Sequence, residues 1–107
     1  MTRKSEYDAA YFTLLRAQEE LGHLRRYQEY LSEELARLAL FAKAVDDDAE
    51  VVPRKFRRLV DSSSKPLLES LGRRRAIVLS EQDRMPERIQ AQETFVIECE
   101  EELAALR

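Results

Sequence analysis

Within "EELGH", Glu20 and His23 hold the Glu-x-x-His spacing that di-iron carboxylate bundles use to set two ligands on one helix face. A complete centre of that kind takes two such motifs and two further glutamates. This chain has a single histidine, so only a second copy could finish the set, as in a ferritin-like metal-binding dimer. Glutamate is abundant here and the motif is short, so a chance match is the simpler reading and no metal ligand is assigned. The lone cysteine, Cys99, lies far from His23 in sequence and falls where a small apolar residue is needed (below), which makes it a core residue. With only two glycines there is no phosphate-cradling loop. Nothing resembles a hydrolase or transferase site, and the chain reads as a non-enzyme.

The arginines are the other chemically active set. Residues 1–52 carry 7 Lys/Arg against 11 Asp/Glu, residues 53–75 carry 8 against 2, and residues 76–107 carry 3 against 8. A basic centre therefore separates two acidic arms. Arg54, Lys55, Arg57 and Arg58, with Arg73, Arg74 and Arg75, could meet nucleic-acid phosphates or an acidic protein face. The overall charge of −3 and the lack of interleaved aromatics other than Phe56 argue against nucleic acid.

These residues need elements to carry them, and 107 residues suffice for one domain, 1–107. Few glycines, no tryptophan and many Ala, Leu, Glu, Arg and Gln predict an all-α fold. From Tyr7 a seven-residue frame holds for six heptads: Tyr7, Leu14, Leu21, Gln28, Leu35 and Ala42 on one seam position, Ala10, Ala17, Leu24, Leu31, Leu38 and Val45 on the other. A first arm is thus predicted over about 5–45. A second arm over about 67–107 continues the pattern through Leu71, Val78, Gln82, Met85, Ile89, Gln92, Val96, Cys99, Leu103 and Leu106. Pro86 predicts a kink there or the start of a separate helix.

The connector, about 46–66, begins with "DDDAE", unfavourable at the negative end of a helix dipole. It has room for a short third helix from Pro53 to Val60, ended by "DSSSKP". The simplest architecture is an antiparallel coiled-coil helical hairpin. Folding back near Phe56 sets the one polar seam residue of the first arm, Gln28, opposite Gln82 and Met85. Two readings follow: a polar layer that penalises slipped registers, or a site opened to water by the Pro86 kink.

The first arm also has apolar residues off the seam, including Tyr11, Phe12, Leu15, Tyr27, Tyr30, Leu40 and Phe41. A two-helix hairpin leaves many of these in water, so either the 53–82 region folds over them or a partner does. A protein partner is expected at Tyr11, Tyr27, Tyr30 and Phe41 together with Arg54, Lys55, Arg57 and Arg58, and a homodimer is the alternative. No apolar run approaches a membrane span. The absence of an apolar leader after the basic N-terminus, with a cysteine that has no internal partner, predicts a cytoplasmic protein.

The stretch "LGHLRRYQEYLSEELARL" resembles the helical-hairpin anti-sigma factors of the RsiG type, whose helices carry the cyclic-di-GMP pattern E-x3-S-x2-R-x3-Q-x3-D. The first arm matches that pattern at Arg25, and the second at Glu81, Arg88 and Gln92; the Ser and Asp positions are unmatched. The resemblance covers about a third of the chain. It implies a hairpin that clamps a sigma factor in transcription regulation, with or without a nucleotide held at those four residues. The residues themselves call for no cofactor.

Overall fold

The computed structural model describes residues 2–107, and it is all-α. Two helices, α1 (Arg3–Glu50) and α2 (Arg54–Ala105), run antiparallel as a hairpin, with only Val51, Val52 and Pro53 between them. Thr2 opens α1: its hydroxyl accepts the Ser5 amide and its carbonyl accepts the Glu6 amide. Ser5 itself lies inside the helix. At the tip the Pro53 carbonyl accepts the Phe56 amide, and the missing N–H of a proline costs little at a helix start.

The connector is therefore far shorter than the expected 46–66, and the described residues contain no third helix. "DDDAE" stays helical in α1, and the segment from Arg54 to Val60 forms the first turns of α2. Neither "DSSSKP" nor Pro86 breaks α2. An interior proline costs ~3 kcal/mol, but the apolar seam continues on both sides of each one. Ending the helix would expose that stripe.

Packing divides the hairpin into two units. The first joins α1 up to Glu29 with Arg84–Arg107 of α2; the second is Tyr30–Asp83. In the first, Ala10, Leu14 and Ala17 are buried against Val96, Cys99 and Leu103. Arg3 donates to the Arg107 carbonyl at 3.4 Å. In the second, Leu31, Leu38 and Val78 are buried. Every buried residue of α1 is a seam residue of the seven-residue frame.

Gln28 is exposed, so it forms no buried polar layer. The half-buried Gln82 instead donates from its amide to the Ser32 hydroxyl at 3.3 Å. The polar seam residue with a cross-helix role in the first unit is Gln92, whose amide donates to the Ala17 carbonyl at 2.9 Å. Ala17 has no side chain beyond Cβ, and this lets the Gln92 amide reach α1 backbone.

Candidate protein-interaction surfaces

In the first unit, Phe12 on α1 and Phe95 on α2 border a groove of about 410 Å³ floored by Ala17 and Gln92. Phe12 is 70% exposed. The groove is open because Thr13 and Ala17, which precede and follow the Leu14 seam residue on this side, are small. Tyr11 is also exposed and stacks on Tyr7, with ring centroids 6.4 Å apart. Tyr27 is half-buried, so it serves partly as packing.

The four residues matched to the nucleotide pattern do not share one unit. Arg25, Arg88 and Gln92 lie in the first and Glu81 in the second. Arg25 donates to Glu93 across the hairpin at 3.2 Å, more than a turn of α2 beyond Arg88. The Arg88 guanidinium lies 3.8 Å from the Met85 sulfur, and Gln92 holds the Ala17 carbonyl. In this arrangement Arg25 and Gln92 tie the two helices together.

The Glu20–His23 pair is an ordinary surface contact. His23 Nδ1 lies 3.7 Å from Glu20 Oε1, and Arg16 reaches the same oxygen at 3.7 Å. Among the described residues no three His, Cys, Asp or Glu side chains gather where they could hold a metal ion. Cys99 is buried on the seam, and burial, with Glu102 and Glu98 adding to it, pushes its thiol pKa up. A raised pKa means less thiolate, hence low reactivity.

In the second unit, Tyr30 and Phe41 are exposed. The Arg37 guanidinium sits 5.6 Å from the Tyr30 ring centre and is held by Glu34 at 2.9 Å and Glu33 at 3.8 Å. At the tip, Lys55 lies over the Phe56 ring at 5.0 Å and Arg57 donates to the Glu50 carbonyl at 3.3 Å. That bond caps the end of α1. Arg54, Lys55 and Arg58 are exposed. Arg73, Arg74 and Arg75 are exposed too but do not join this cluster, because a continuous helix sets Arg73 ~22 Å beyond Arg58. The basic centre is two separate patches.

The larger omission of sequence reasoning is on α2. Leu59, Leu67 and Ile77 in the second unit and Phe95 and Ile97 in the first are exposed apolar residues. A readable signal exists for three of them: Leu67, Ile77 and Phe95 each directly precede a seam residue, as Phe41 does on α1. Comparison with protein-family models, with curated proteins and with solved structures finds no match to the chain. Among the described residues no helix is long and apolar enough to cross a membrane.

Proposed function

We propose that this chain is a non-enzymatic regulatory protein that captures another protein through the apolar residues its own seam leaves out. The observation that carries the reading is the pair Phe12 and Phe95, two large rings exposed on either side of one groove in the first unit. Aromatic side chains bordering an apolar cleft are the usual anchors of a protein interface. Sequestration of a sigma factor is its concrete form, supported by the resemblance to RsiG-type hairpins.

A low-salt pull-down from native lysate, read by mass spectrometry, tests it. A sigma factor or polymerase subunit should be recovered by the wild-type chain and lost with Phe12→Glu combined with Phe95→Glu. Both side chains are exposed, so helix content and melting should stay near wild type. Recovery of bait alone, or equal capture by the variant, would overturn the proposal. Material released by nuclease would instead assign the surface to nucleic acid.

A further inference from the structure

The second unit has a face of its own. Leu40 and Phe41 on α1 and Phe56, Leu59, Leu67 and Ile77 on α2 are all exposed. Phe41, Leu59, Leu67 and Ile77 fall on one side of the hairpin, each directly preceding a half-buried or buried residue (Ala42, Val60, Leu68 and Val78). Phe56 stands one turn before Leu59, whereas Leu40 stands at the back of α1. Ser32, which directly follows the seam residue Leu31, marks the opposite flank through its bond to Gln82. With side chains of ~200 Å² each about half exposed or more, the face leaves on the order of 550 Å² of apolar area in water. That is at the upper end of the largest patch usual for a monomer, and the charged residues around it bring the area towards the ~800 Å² per partner of a stable interface.

Charge selects the occupant. Within this unit, α1 from 30 to 50 carries 2 Lys/Arg against 6 Asp/Glu, a balance of −4. Segment 54–75 of α2 carries 8 against 2, a balance of +6. A second copy can be laid on the face in two symmetric ways. One sets α1 over α1 of the partner, like charge on like. The other, a two-fold axis along the hairpin, sets each α1 over the partner's α2, tip beside tip. In that arrangement Glu33 comes within about a turn of Arg73 and Arg74 of the second copy, and Asp47 and Asp48 within about a turn of Arg58 of the second copy. Every helix then has antiparallel neighbours, as in a four-helix bundle.

We infer that the second unit pairs with a second copy of this chain, each acidic α1 segment lying over the basic α2 segment of the other. The inference stands apart from protein capture at Phe12 and Phe95, which lie in the first unit. Sedimentation equilibrium of the full chain at tens of micromolar tests it. The expected mass is twice the 12.5 kDa of the chain. Leu59→Glu, or Ile77→Lys as a second choice, should raise the dissociation constant at least ~10-fold with helix content by circular dichroism unchanged. Arg73→Glu with Arg74→Glu should weaken the dimer at ~50 mM salt and much less at ~1 M, where screening is strong. A monomeric mass for the wild type, or apolar-face variants that stay dimeric, would overturn the dimer. Arginine variants that associate as the wild type does would overturn the α1-over-α2 arrangement.

Discussion

Cys99 is placed for packing, and its ionisation shows it. The thiol is buried beside Val96 and Leu103, and its pKa is raised by burial first and by Glu102 and Glu98 after that. The folded chain thus holds this proton more tightly than the unfolded chain does. The stabilisation is fully present below the ordinary thiol value, about pH 8.5, and is lost as pH rises through the folded value. Urea melts between neutral and strongly alkaline pH should show this loss in the wild type and a flatter curve in Cys99→Ala. Native-state alkylation should also be slow until unfolding. Ala17 bears on packing differently: it is 2% exposed and its carbonyl receives the Gln92 amide. Ala17→Leu should force the helices apart there and cost about 1–3 kcal/mol, read as a lower urea midpoint.

At the scale of the element, α2 is one helix of 52 residues that contains Pro66 and Pro86. Each lacks an amide donor and crowds the carbonyl four residues back. Both are exposed, so neither is needed to fill the core. Pro86→Ala should raise stability by about 1–2 kcal/mol, less than the full helix-interior penalty because the native backbone has already adjusted. A thermal melt checks the direction, and a fall would mean that Pro86 shapes packing around Met85. The facing helix ends carry charges that oppose their dipoles: no basic residue in the last turn of α1 and no acidic residue in the first turn of α2. Across a three-residue turn, the acidic end of α1 and the basic start of α2 offset one another. Arg57 on the Glu50 carbonyl is the visible link.

For the whole molecule, stability and association are coupled. If two copies share the face of the second unit, the melting temperature must rise with chain concentration, since association stabilises only the folded chains. Melts at concentrations ~100-fold apart should differ by several degrees for the wild type, and Leu59→Glu should abolish the difference. A melting temperature independent of concentration in the wild type would mean that the exposed face is left uncovered.

The seam was legible from residue types alone: Leu14, Ala17, Leu31, Leu38, Val78, Val96 and Leu103 are buried where the seven-residue frame puts them. That follows from physics local to each helix, because an apolar stripe recurring every seven residues can be hidden only along one side. The off-seam apolar surface of α1 was legible for the same reason, as residues the stripe could not absorb. Three things were settled only by tertiary structure. The connector shrank to three residues and α2 ran through both proline sites, because seam burial outweighed local penalties that sequence rules treat in isolation. Gln28 turned out exposed while Gln92 reached the Ala17 carbonyl, because helix separation at each level depends on the partner side chains. The basic centre became two patches because a single uninterrupted helix spaces Arg58 and Arg73 along its length instead of folding them together.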